Sequence, residues 1–166
     1  MKSTANLQRL WQAAQQHDAA ARFVEAETLY RELLDGAADF HPAWHALGIL
    51  AVNAGKLPLA LELFGRAAGL APEVMLYQRN LGELLRRTGA LEQAIACGRR
   101  AVQLAPGDLD SHYNLGLALA DARQYDAAIA SYRQALALNP NHGLSWNNLG
   151  SALEQRDAAG DRPAAG

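Results

Sequence analysis

Three asparagines, Asn80, Asn114 and Asn148, stand 34 residues apart, and each directly precedes a Leu-Gly pair. A primary amide both donates and accepts, so a row of amides at a fixed spacing can hold the backbone of an extended peptide without reading its side chains. The other reactive residues do not form a catalytic set. Cys97 is the only cysteine, which excludes an intrachain disulfide and any multi-cysteine metal site and reads as a small half-buried thiol in a reducing compartment. His41 and His45 lie four apart and could face one metal ion, but the sequence offers no third ligand. His17, His112 and His142 are scattered and read as packing or surface residues, while Glu25, Glu27 and Glu32 near Arg22 and Arg31 read as solvated charge pairs on a helix. There is no glycine-rich phosphate loop, no G-x-S-x-G and no H-E-x-x-H. The reading is of a chain without catalytic residues, metal or cofactor.

The elements that must carry the asparagines are helices. Of 166 residues, 35 are alanine and 27 leucine, whereas valine, isoleucine and threonine together supply 10. Sheets draw on β-branched and aromatic residues, so this composition predicts an all-α chain. A formal charge of −2 supplies no long-range attraction for nucleic acid or an anionic membrane. Lys2, Asn6, Gln8, Arg9 and Gln12 interrupt the N-terminal stretch, so no signal peptide is expected there, and no window approaches the ~20 apolar residues of a membrane span. The expected location is cytoplasmic.

The 34-residue interval extends well beyond the asparagines. Gly48, Gly82, Gly116 and Gly150 keep it, each after a leucine, as do Pro72, Pro106 and Pro140, the column Ala26, Ala60, Ala94 and Ala128, and the column Ala67, Ala101 and Ala135. Within His41–Val74, one apolar-periodic stretch around Trp44, Leu47, Ile49 and Leu50 ends near Gly55. A second runs from about Leu57 and stops before Pro72. Gly55 and Gly89 suit the left-handed conformation that ends a helix, and Pro58 falls in a first turn, where its missing N–H costs nothing. Gly48 and Ala60 let the two helices approach, with Trp44, Leu47 and Phe64 filling the space around that contact. One such hairpin cannot cover its own apolar faces, so several must stack.

These columns resemble the tetratricopeptide repeat (TPR) family, whose pattern is W-x-x-L-G, then a small residue, an aromatic, an alanine and a proline over 34 residues. Trp44, Leu47, Gly48, Ala60, Phe64, Ala67 and Pro72 are the fullest match. The expected organisation is a single solenoid over 1–156: a degenerate repeat at 7–40, repeats at 41–74, 75–108 and 109–142, and a half repeat at 143–156. Residues 157–166 are expected to form a disordered tail. The repeat 75–108 departs most, with Gln78 in the tryptophan column and Gly98 in the aromatic one. A mid-helix glycine costs about 1 kcal/mol against alanine, and the second helix of this repeat is expected to be the least protected of the inner ones.

The resemblance implies a right-handed superhelix with first helices on the inner face, and a non-catalytic module that binds an extended peptide or partner protein in the groove. It places Asn80, Asn114 and Asn148 there as backbone contacts, Arg79 and Arg87 toward a carboxylate or phosphate, and Leu76, Tyr113 and Leu117 against apolar side chains. Co-chaperone members clamp a C-terminal carboxylate with lysine and asparagine. Here His45 and Ile49 stand at those positions, which disfavours that mode. The asparagine row and Leu138–Asn141 look more like the repeat region of bacterial proteins similar to O-linked N-acetylglucosamine transferases. A substrate-recognition region of such an enzyme, its catalytic domain absent here, is therefore an alternative. Self-assembly through Trp146, Leu149 and Leu153 is another.

Overall fold

The computed structural model describes residues 3–160 and is all-α, with no strand among them. The helices are α1 (Thr4–Ala19), α2 (Phe23–Gly36), α3 (His41–Asn53), α4 (Leu57–Leu70), α5 (Met75–Arg87), α6 (Leu91–Leu104), α7 (Leu109–Asp121), α8 (Tyr125–Leu138) and α9 (Gly143–Gly160). The chain divides into two compact units, Met1–Tyr77 and Gln78–Gly166, with the boundary inside α5.

The same turn closes the first helix of four hairpins. After α3, the Gly55 N–H donates to the Val52 carbonyl at 2.9 Å and the Lys56 N–H to that of Ala51 at 2.8 Å, the six-to-one and five-to-two pair of a Schellman cap. The pattern repeats after α1 at Ala21 and Arg22, after α5 at Gly89 and Ala90, and after α7 at Arg123 and Gln124. Residues 21, 55, 89 and 123 form one 34-residue column, and all four have positive φ, between 57° and 84°. Two are the glycines that the sequence singled out. Ala21 and Arg123 adopt the same conformation despite carrying a Cβ.

In unit 1 the core runs along two hairpins. Ala14, Ala26 and Tyr30 are buried between α1 and α2, and Gly48, Ala60 and Phe64 between α3 and α4. Gly48 meets the Phe64 ring so closely that a Cβ on it would lie 2.3 Å from Cδ1. Trp44 does less filling than its column suggests. It is half-buried, its indole Nε1 donates to the Ala38 carbonyl at 2.8 Å, and the Arg66 guanidinium sits 5.2 Å from the ring.

Unit 2 repeats the aromatic contact at Gly116, where a Cβ would lie 2.5 Å from Tyr132 Cε1. In the repeat 75–108, where Gly98 replaces the aromatic, the space is taken from the other side. Leu115 of α7 reaches in, its Cδ1 only 3.1 Å from where a Gly98 Cβ would stand. The tryptophan column keeps one hydrogen bond through substitution: His112 Nε2 and Trp146 Nε1 each donate to a carbonyl six residues back, those of Pro106 and Pro140, both at 2.8 Å. α9 packs on α8 and α7. It runs on to Gly160, so residues 157–160 belong to the helix rather than to the tail expected there, and 161–166 lie outside the described residues.

Candidate functional site

The first-helix columns of unit 2 are largely occupied by the chain's own ties between repeats. Arg79, expected to meet a ligand's anion, bonds the Asp108 carboxylate at 3.1 Å and that of Asp110 at 3.3 Å. Asp108 caps α7 as well, accepting from the Ser111 N–H at 2.8 Å. Burial raises its pKa, but the Ser111 hydroxyl and N–H and the Arg79 charge outweigh that and hold the carboxyl below its ordinary value. Arg86, which sequence reasoning did not single out, bridges Glu83 at 2.9 Å and Asp121 of α7 at 2.7 Å. The Glu83 hydrogen bond is foremost in raising its pKa.

The asparagine row does not behave as a uniform set. Asn148 spends both amide hydrogens locally, donating to the Tyr113 hydroxyl at 3.1 Å and to the Leu144 carbonyl at 2.9 Å. Tyr113 is thereby drawn into the same network, its ring lying 5.3 Å edge-on from His142. Asn114 is half-buried beside Arg79 and Glu83, and Asn80 is half-buried. Arg87 is exposed at the end of α5, and Leu117 is half-buried on α7. Arg99 and Arg100 on α6 face solvent.

Unit 1 holds a cleft of about 540 Å³ between the first helices α1 and α3 and the start of α5. Trp11, Asp18, Tyr30, His45, Ile49, Leu76 and Tyr77 are among its walls. Of these, the sequence assigned only Leu76 to ligand contact. The His45 ring is stacked between Phe64 at 5.3 Å and Tyr77 at 4.7 Å, and burial lowers its pKa. His41, one turn before it on α3, bonds the Tyr77 hydroxyl through Nδ1 at 2.9 Å. Among the described residues no three His, Cys, Asp or Glu side chains are grouped to hold a metal. Trp11 rests on Tyr30 at 5.5 Å and Phe40 at 5.2 Å. The 34-residue period places Tyr30 and His45 on helices and gives no sign that one edge of the packing opens into a cleft.

Cys97 is half-buried against α5, and burial pushes its thiol pKa up. No helix among the described residues is long and apolar enough to cross a membrane.

No curated protein matches the sequence. Among solved structures, the MamA protein superposes with a TM-score of 0.87 at 19% identity, over 93% of this chain and 85% of that one. MamA from Desulfovibrio magneticus RS-1, residue 41 to the end, gives 0.76 at 18% identity over 92% and 96% of the two chains. YrrB, a TPR protein with an unusual peptide-binding site, gives 0.76 at 21% identity over 87% and 75%. At these identities the likeness is one of fold. The sequence carries the family itself: two tetratricopeptide-repeat models match residues 45–108 and 109–142, a continuous stretch of more than half the chain. With that match, the recurring hairpin cap and the Gly48–Phe64 and Gly116–Tyr132 contacts in register, the chain belongs to the tetratricopeptide repeat family.

Proposed function

We propose that the chain is a non-catalytic interaction module that takes an extended peptide or a partner's segment against its first helices. The unit 1 cleft carries this reading. Ile49 and Leu76 remain 39% and 38% exposed beside Trp11 and Tyr77, so apolar surface is left open on helices that are otherwise packed. The fold likeness to YrrB, with its peptide-binding site, is in keeping with it. In unit 2 the contacts would come from Asn80, Asn114, Arg87 and Leu117, while Arg79, Tyr113 and Asn148 hold the neighbouring first helices in place.

The test is capture from a peptide array by the wild type, by Ile49→Glu/Leu76→Glu and by Asn80→Ala/Asn114→Ala/Asn148→Ala. Loss of most bound peptides is expected from the first variant, and from the second only to the extent that unit 2 contributes. If both variants capture every peptide as the wild type does, the reading fails.

Neither other reading gains from the geometry. The glycosyltransferase-like row needs three equivalent amides, and Asn148 has committed both its hydrogens. Self-assembly was expected to use Leu149, which is 7% exposed and buried against α8, leaving Trp146, 54% exposed, with Leu153 half-buried.

A further inference from the structure

Building on the interaction reading, we infer that the unit 1 cleft receives a cationic side chain, a lysine or arginine of the bound peptide, between Asp18 and the ring of Trp11. Among the described residues Asp18 is the one wall of the cleft with a full charge, and no lysine or arginine of theirs lines it. The carboxylate forms no hydrogen bond or ion pair among the described residues and is half-exposed, so its charge is not spent on the fold. It sits in the last turn of α1, which ends at Ala19 in the same wall. The carbonyl end of a helix carries partial negative charge and favours a cation there.

The rest of the lining suits the same ligand. Trp11 is the aromatic wall that keeps ring surface open, Tyr30 and Tyr77 lying buried behind it, and an ammonium or guanidinium is attracted to the negative face of such a ring. Trp11 is held by its contacts with Tyr30 and Phe40, and Tyr77 by its stack on His45. The Tyr30 hydroxyl feels the carboxylate: burial, and then the Asp18 charge, push its pKa up to about 12. Burial lowers the His45 pKa and so disfavours the imidazolium that would oppose an incoming cation. Ile49 and Leu76 meanwhile give the aliphatic stem of lysine or arginine an apolar surface.

The test uses the full chain and acetylated, amidated heptapeptides of sequence Ala-Leu-Ala-X-Ala-Leu-Ala, with X arginine, lysine, norleucine or glutamate, measured by calorimetry at low salt. The arginine and lysine peptides are expected to bind at least tenfold more tightly than the glutamate peptide. Asp18→Asn should bring the four within about threefold of one another, and Asp18→Lys should invert the order, with circular dichroism unchanged because the Asp18 side chain forms no hydrogen bond or ion pair among the described residues. Equal binding of the norleucine and arginine peptides, or an arginine preference that survives in Asp18→Asn, overturns the inference and leaves the interaction module standing. Failure of all four peptides to bind overturns the inference. If both array variants, Ile49→Glu/Leu76→Glu and Asn80→Ala/Asn114→Ala/Asn148→Ala, also capture the wild-type set, the module reading falls with it.

Discussion

One glycine column gives opposite answers to the same methyl group. Gly48, Gly116 and Gly150 occupy equivalent positions, yet a Cβ at the first two would strike the Phe64 and Tyr132 rings at 2.3 and 2.5 Å, while at Gly150 nothing lies within 4 Å. Gly48→Ala and Gly116→Ala are therefore expected to destabilise by about 1–3 kcal/mol through overpacking. Gly150→Ala, relieved of the glycine's backbone entropy and free of a clash, should stabilise by up to about 1 kcal/mol. Urea unfolding of the three variants checks the signs, and a destabilising Gly150→Ala would contradict the geometry. Asp108 offers a second prediction at this scale. Its pKa is lower in the folded chain, so its contribution is fully present above its unfolded value near 4 and fades as pH falls through the folded one. The stability gap between wild type and Asp108→Ala, about 1 kcal/mol for the lost cap alone, should thus be constant from pH 7 to 5 and shrink below pH 4. A gap that widened on acidification would reverse the sign argued here.

The hairpin is where the sequence was most legible, because its signals are local. The glycine at 55 and 89, the proline beyond each second helix and the apolar period fix where helices start and stop, and α3 and α4 fall on the stretches read from them. Partners were less legible. Arg79, Asn80 and Asp110 can be placed on one face by spacing, but which charge Arg79 meets depends on the next repeat's first helix, about thirty residues away. Gly98 makes the same point: its missing aromatic is visible in the sequence, whereas Leu115 of the following repeat as the filler is not. The cap column supplies an element-scale prediction. Ala21 and Arg123 hold a left-handed conformation that costs an L-residue about 1–2 kcal/mol, and glycine at either position escapes that steric cost but loses chain entropy. Ala21→Gly and Arg123→Gly are expected to be neutral to stabilising by up to about 1 kcal/mol, and Gly55→Ala and Gly89→Ala to destabilise by a similar amount. Thermal melts of the four variants would show a sign that follows the φ angle rather than the residue's general helix propensity.

At the scale of the whole chain, packing in each unit passes from one helix to the next in sequence: α1 on α2, α2 on α3 and α3 on α4 in unit 1, and α6 on α7, α7 on α8 and α8 on α9 in unit 2, with a lesser contact of α7 with α9. Stability built from such neighbour terms is approximately a sum over repeats, so a defect is felt first by the helices that touch it. Gly48→Ala places its strain between α3 and α4. Amide exchange in that variant should rise most across residues 41–70, less across α2, and least across α8. Gly116→Ala should produce the complementary pattern, fastest across 109–138. The wild type adds a baseline for α6, where Leu115 fills the space beside Gly98 but an interior glycine still loosens the helix. Its amides are expected to exchange faster than those of α8, whose Tyr132 is fully enclosed. Uniform acceleration of every helix by either alanine would mean that the chain opens only as a whole, and the neighbour-by-neighbour account would then be wrong.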